Sequence, residues 1–221
     1  MSKFSIIITI LICFVFSANA QKPKSKPVSK PVVQTKVDLG KLRGNTYTND
    51  FFELKFEFPL GWLVGDNVLE AQLKTIAQTQ IKATNPNQQK SINQAVDRVT
   101  PLLGGYKALP GMPENANLRV MVEDLKTLPT IKNGKDYLGM MAATLKATKL
   151  PADYKYSEIK TETIDNLPLD YIETSTGNVK KLLYVTVRKG FAVLIAIEYY
   201  TTEEFETLHK VLMESDLDYK K

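Results

Sequence analysis

The stretch NTYTNDFFELKFEFPLGWLV, residues 45–64, alternates apolar and polar side chains and then breaks at a proline and a glycine. The even-numbered residues from 52 to 58 are apolar, and the odd-numbered residues between them are charged. This period of two predicts a β-strand over residues 51–58 with one buried face. Pro59 and Gly61 end the strand, and residues 62–64 can begin a second short one.

The strongest hairpin signal lies near the C-terminus, where residues 182–188 and 191–199 flank Lys189-Gly190. A two-residue link with a glycine, placed where a positive φ is wanted, predicts an antiparallel hairpin. In the second strand, both the odd-numbered residues from 191 to 197 and the even-numbered ones between them are apolar. We therefore expect a central strand that is covered on both faces.

Three amphipathic helices complete the pattern. One spans about residues 66–83 with Asp66 as its cap, a second follows Asn133, and a third follows the capping box Thr201-x-x-Glu204. Further strands are predicted at residues 102–108, 118–123, 154–159 and 167–173. Strands in hairpins with helices between them predict an α+β fold, a largely antiparallel sheet covered by helices.

The N-terminus has the organisation of a secretory signal peptide. Lys3 precedes the mostly apolar run of residues 4–16, and the small-residue ending leads to cleavage after Ala20. The run is short for a membrane span, which is why we favour cleavage over an uncleaved anchor. Cys13, the only cysteine, lies inside the run, and Ile12 precedes it where a lipid-attachment site would have a small residue. We predict an exported protein, periplasmic or secreted, without a thiol in its mature form.

Positive charge is concentrated directly after the predicted signal peptide. Residues 21–43 contain seven basic residues and one acidic residue, a net charge of +6, and repeat Lys-Pro three times. Such a segment is predicted to be an extended, solvated linker that acts as a spacer or makes weak contact with an anionic membrane or glycan. Residues 44–221, the predicted domain, carry 21 basic and 23 acidic residues, and we expect no nucleic-acid binding.

Several of these features together resemble the PsbP-like family of envelope and thylakoid-lumen proteins. They are Tyr47-Thr48-Asn49, the stretch from Phe52 to Pro59 closed by Gly61-Trp62, Asp136-Tyr137-Leu138 in a helix, and the final strand, Gly190, strand and helix. The resemblance covers roughly residues 44–218, and in one departure Asp165-Asn166 stands where many relatives have a glycine pair. It implies an α/β/α sandwich with a central, largely antiparallel sheet and a non-enzymatic role in assembling or binding a larger complex.

Residues able to do chemistry are sparse. His209, the only histidine, lies at the edge of the apolar stripe of the last helix, and we expect it to pack there rather than to act in catalysis. The acidic groups Glu214, Asp216 and Asp218, and the pair Asp170 and Glu173, lack the spacing of a calcium loop. No catalytic residue, cofactor or metal ligand is predicted.

Ten tyrosines suggest a recognition surface instead, since tyrosine combines an apolar ring with a hydroxyl. Tyr154, Tyr156, Tyr199 and Tyr200 are the candidate interaction surface for a peptide or glycan. The preferred hypothesis is an interaction or assembly-support module whose partner is an unidentified envelope protein. The alternatives are a carrier of a small apolar or lipid ligand between sheet and helices, and a hydrolase using carboxylates such as Asp170 and Glu173.

Overall fold

The computed structural model describes residues 37–80, 89–90, 93, 96–147 and 150–220. The predicted signal peptide and residues 21–36 of the predicted linker lie outside these ranges. No helix within the described ranges is long and apolar enough to cross a membrane.

Two sheets and three helices with full bounds make up most of the described fold, and residues 96–98 are also helical. The small sheet contains β1 (Lys41–Arg43), β2 (Thr46–Asn49) and β3 (Leu54–Glu57). The large sheet contains β4 (Leu63–Asp66), β5 (Val99–Tyr106), β6 (Asn117–Asp124), β7 (Lys155–Tyr156), β8 (Lys160–Ile164), β9 (Leu167–Thr176), β10 (Val179–Arg188) and β11 (Phe191–Tyr199). The helices are α1 (Asn67–Gln80), α2 (Gly134–Ala147) and α3 (Thr202–Met213), and a short 3-10 turn spans Leu125–Thr127.

The predicted α+β class with an antiparallel sheet is confirmed. The large sheet has the order β4-β5-β6-β11-β10-β9-β7, with β8 also paired to β9. Each of its strand pairings is antiparallel. β11 lies in the middle of this order, as its two apolar faces predicted.

A separate hydrophobic cluster fills each face of the large sheet. Ala192, Leu194 and Ala196 of β11 pack with Tyr137, Leu138 and Met141 of α2. Val193, Ile195 and Ile197, on the opposite face, pack with Leu208 of α3 and with the small sheet. The alternation in β11 therefore divides the core into two layers.

The predicted helix caps are present. The carboxylate of Asp66 accepts hydrogen bonds from the backbone of Val68 and Leu69 at 3.0 and 3.2 Å. The side chain of Asn133 accepts from the backbone of Asp136 at 2.9 Å, and Thr201 with Glu204 forms the full capping box of α3. These side chains satisfy backbone N–H groups that have no partner within the helix.

The first predicted strand is shorter than the alternation suggests. Residues 50–53 form a turn, in which Glu53 has a φ of 56° and the side chain of Asn49 accepts a hydrogen bond from the backbone of Phe52 at 2.8 Å. The apolar residue Phe52 is nevertheless buried, because the turn packs against the same core. Residues 37–43, assigned to the linker from the sequence, contact the domain: β1 pairs with β2, and Val37, Leu39 and Leu42 pack on the core.

The edge of the sheet beside β9 also differs from expectation. The predicted strand 154–159 is reduced to β7, and the sequence patterns did not predict β8. β8 is largely exposed and polar, so it lacks the apolar alternation of a half-buried strand. Asp165 and Asn166, with φ values of 50° and 60°, form the two-residue turn into β9, as Lys189 and Gly190 do between β10 and β11.

Three buried glutamates, Glu70 of α1, Glu123 of β6 and Glu198 of β11, each bind a cation and a tyrosine. Glu70 pairs with Arg119 at 2.8 Å, Glu123 with Arg98 at 2.9 Å and Glu198 with Lys181 at 3.0 Å. Each glutamate also accepts a hydrogen bond from a phenol, and the donors are Tyr106, Tyr137 and Tyr200 respectively. Paired in this way, the carboxylates are tolerated in the interior, where an unpaired charge is costly.

Candidate interaction surface

The four tyrosines selected from the sequence do not form one continuous surface. Tyr199 packs on the side of the sheet that carries α3, whereas Tyr154 packs with the cluster on the α2 side. Tyr156 is 36% exposed on the edge strand β7, and the hydroxyl of Tyr200 donates to Glu198 at 2.8 Å. Of the four, only Tyr199 belongs to the larger group of aromatic side chains described next.

An aromatic strip runs beside α3 over β8, β9, β10 and β11 of the large sheet. Its members are Glu162, Tyr171, Tyr184, Tyr199, Phe205 and His209. The rings of Tyr171 and Tyr184 lie 4.9 Å apart, those of Tyr199 and Phe205 5.0 Å apart, and those of Phe205 and His209 5.1 Å apart. Tyr184 is buried and forms the floor, while Tyr171, Tyr199, Phe205 and His209 are half-buried.

The strand register and the helix period explain why these rings meet. Tyr171 of β9 and Tyr184 of β10 are direct cross-strand partners, so their side chains lie on the same face. Phe205 and His209 are four residues apart on α3 and therefore neighbours on its surface.

Glu162 connects the two halves of the strip. Its carboxylate accepts a hydrogen bond from the hydroxyl of Tyr184 at 2.7 Å, and its other oxygen lies 3.0 Å from Nε2 of His209. Burial raises the pKa of Tyr184 well above its usual range, and the hydrogen bond to Glu162 raises it further, so this phenol remains a donor. The side chains of His209 and Glu162 are 26% and 29% exposed.

A lysine stands over a tyrosine at two points of the strip. Lys160 lies 5.9 Å from the centre of the Tyr171 ring, and Lys180 lies 5.9 Å from that of Tyr199. Lys160 also pairs with Glu173 at 2.9 Å, a hydrogen bond that raises the pKa of the lysine. Burial, followed by the charge of Glu173, raises the pKa of the Tyr199 phenol. The strip thus combines ring faces, two cations and two carboxylates.

His209 has the contacts of a packed surface residue, as the sequence predicted. It stacks on Phe205 and pairs with Glu162, and within the described ranges no serine or threonine hydrogen-bonds to its ring. The arrangement can position a proton between a histidine and a carboxylate, and it offers aromatic faces to a bound molecule.

The carboxylates considered from the sequence have partners on the protein. Asp170 accepts from the hydroxyl of Thr161 at 2.8 Å, and Glu173 pairs with Lys160. Asp218 pairs with Lys220 at 3.1 Å and Glu214 lies 3.7 Å from Lys210. The described residues contain no cluster of three or more groups suited to a metal ion.

Two surface depressions accompany these features. One, of about 400 Å³, lies at the start of α2 between Lys132, Lys135 and Asp170. The other, of about 360 Å³, lies beside β1 and β2 and is bordered by Asp38 and Tyr219. Both have charged side chains at their walls. The first lies between the start of α2 and β8 to β10, and Pro168, Val185 and Val187 also line it.

Comparison with known proteins adds a likeness in fold. No family model matches the chain, and no curated protein matches it. Among solved structures, the chain is similar to the solution structure of cyanobacterial PsbP (CyanoP) from Synechocystis sp. PCC 6803, with 14% sequence identity and a TM-score of 0.40. The match covers 85% of this chain and 94% of that one. A likeness at this level does not establish the family, which stays a prediction.

Proposed function

We propose that this domain is a non-enzymatic interaction module of the cell envelope that binds a partner protein through the aromatic strip. The proposal rests on the continuity of the strip. Tyr171 packs on the buried ring of Tyr184, and Phe205 contacts the rings of Tyr199 and His209. Glu162 joins these two groups, and Lys160 and Lys180 flank them. Tyrosine is enriched at the centres of protein interfaces, whereas polar and charged groups lie at the rim.

The form of the strip favours an extended peptide segment as the bound part of the partner. The rings extend across β9, β10 and β11 to the side of α3, and they offer ring faces on the surface rather than an enclosed pocket. The carboxylates of Glu162 and Glu173 and the ammonium groups of Lys160 and Lys180 can pair with polar groups at the rim of such a contact. Export and a location in the envelope are part of the same proposal and rest on the N-terminal sequence.

The alternative of an apolar-ligand carrier gains no support from the packing. A ligand between the large sheet and its helices would have to displace fully buried side chains such as Leu194 on one face or Leu208 on the other. Displacing them would forfeit well-packed contacts on both sides of the sheet. The aromatic strip, by contrast, is accessible without any rearrangement.

A pull-down from native envelope extract tests the proposal. The first bait contains residues 21–221, the predicted mature chain. The second contains residues 37–221, because the described fold begins at residue 37. A third bait carries Tyr199→Ala with Lys180→Ala, and a fourth carries Val68→Ala as the matched control, since Val68 is 57% exposed on α1. We expect the same partner with the first, second and fourth baits and its loss with the third. Retention of the partner by the third bait would refute the strip as the binding site.

A further inference from the structure

Three exposed aliphatic side chains lie at one end of the large sheet. Leu60, in the turn before β4, is 93% exposed, and Leu109 and Met112, in the loop between β5 and β6, are 65% and 53% exposed. Leu63 of β4 pairs with Tyr106 of β5, so the turn and the loop leave the sheet at the same end. We call Leu60, Leu109 and Met112 the apolar tips.

Hydrogen bonds hold the loop between β5 and β6 in shape. The backbone of Met112 donates to Leu109 at 3.1 Å, and the side-chain amide of Asn115 donates to Ala108 and Leu109 at 2.8 and 3.0 Å. The backbone of Ala108 donates back to Asn115 at 2.8 Å. These hydrogen bonds join the two ends of the loop. They fix its backbone in a conformation that leaves Leu109 and Met112 exposed.

Polar and amphipathic groups surround the apolar tips. The side-chain amide of Asn45 donates to the carbonyls of Phe58 and Pro59 at 3.3 and 3.1 Å, which brings the turn after the exposed residue Arg43 beside Leu60. Trp62 is half-buried two residues after Leu60. An apolar centre with a tryptophan and a cation at its border is typical of side chains that meet a membrane interface.

We propose that the apolar tips dock the domain on the surface of an anionic lipid bilayer. Leu60, Leu109 and Met112 enter the boundary of the acyl chains, while Trp62 and Arg43 remain at the level of the headgroups. Side chains on protruding turns need no shaped pocket in the surface they enter, and a bilayer provides such a surface. This inference concerns another part of the molecule than the aromatic strip and is independent of the proposed protein partner.

The adjoining sequence supplies a second, electrostatic contribution. Residues 21–36 contain five lysines and no acidic residue, and β1, which follows them, leads into the turn beside Leu60. Apolar insertion and a polybasic segment, each weak alone, together give stable attachment to a membrane.

Flotation with lipid vesicles tests the inference on residues 21–221, without the apolar run of residues 4–16 that would itself partition into lipid. The vesicles are phosphatidylcholine with and without phosphatidylglycerol. Trp62 is the only tryptophan, so its fluorescence reports on this end of the domain alone. We expect binding to the anionic vesicles with a blue shift of the emission.

Leu60→Asp combined with Leu109→Asp should lower the partition coefficient by at least about tenfold. Val68→Asp, at an exposed position beyond the opposite end of β4, should leave it unchanged. Circular dichroism shows whether the variants fold.

Two results would overturn the inference: no binding of the unmodified protein to the anionic vesicles, or equal binding by the double variant. Residues 37–221 distinguish the two contributions. They should bind more weakly than residues 21–221, yet remain sensitive to the double substitution.

Discussion

Oε1 of Glu162 lies 3.0 Å from Nε2 of His209, and this contact joins the edge strand β8 to the C-terminal helix α3. The two residues are 47 positions apart in the sequence. The second oxygen of Glu162 is bonded to Tyr184, so one carboxylate holds a strand, a helix and the floor of the aromatic strip together. The strip depends on this carboxylate for its shape.

Glu162→Gln should destabilise the domain by about 1 kcal/mol, because it weakens charge-assisted contacts that are only partly shielded from water. Urea unfolding followed by circular dichroism measures the change. Glu206→Gln, at an exposed position on α3, is the control and should change the free energy of unfolding by less than about 0.5 kcal/mol. Equal effects of the two substitutions would show that Glu162 contributes no more than a surface carboxylate.

Arg119→Met should be far more damaging, by about 3–5 kcal/mol, because it leaves the fully buried carboxylate of Glu70 without its cation. Adding Glu70→Gln should recover much of this loss, since the neutral amide oxygen can still accept from Tyr106. Urea unfolding of Arg119→Met, of Glu70→Gln and of the double variant gives a double-mutant cycle. Arg43→Met, at an exposed position, is the control. Additive losses would argue against the pairing.

The stability of the domain should fall in acid partly through Glu204. Burial by itself would raise the pKa of this carboxyl, but hydrogen bonds from Lys107 and from the backbone of Tyr200 and Thr201 outweigh it and hold the pKa below its ordinary value of 4.5. A lowered pKa in the folded state gives stability that is present above pH 4.5 and lost as the pH falls through the lowered value.

Glu204→Gln should therefore reduce stability at neutral pH and flatten the decline below pH 4.5. The urea midpoint measured from neutral to acidic pH checks this, again with Glu206→Gln as control. If the urea midpoints of the variant and of the unmodified protein fall in parallel below pH 4.5, Glu204 does not contribute to the loss of stability in acid.

Two glycines should respond to alanine in opposite directions. Gly139 is exposed within α2 and has open space where a Cβ would stand, so Gly139→Ala should stabilise the protein by about 0.5–1 kcal/mol. At Gly105 of β5, an added Cβ would collide with the ring of Phe58, and Gly105→Ala should cost about 1–3 kcal/mol. Thermal unfolding of the two variants measures both changes in stability. An unchanged melting temperature for Gly105→Ala would contradict the close packing of β5 on Phe58.

The parts of the fold that the sequence predicted are those with strong local signals. The alternation of β11, the Lys189-Gly190 hairpin and the cap of α3 each depend on residues that are near one another in the chain. β8 escaped prediction because an edge strand needs no apolar face. The turn before β3 was not predicted, because the apolar residue Phe52 fits the strand alternation but is buried by a turn in which Glu53 has a positive φ.

The aromatic strip was the hardest feature to anticipate. Tyr199 was selected for its neighbouring tyrosine, yet its actual ring partner is Phe205, which comes from the next element. Tyr171 and Tyr184 become visible as a pair only once the register of β9 and β10 is known. A histidine four residues after a phenylalanine was the one local signal, and it indicated no more than a shared helix face.

Site-specific photo-crosslinking in native envelopes shows whether a partner protein binds at the aromatic strip. A photoreactive residue at position 180, beside the ring of Tyr199, probes the aromatic strip, and one at position 68 on α1 is the control. We expect a discrete crosslinked protein with the first probe, none with the second, and loss of that product when Tyr199→Ala is added. The same product from both positions, or none from position 180, would contradict it.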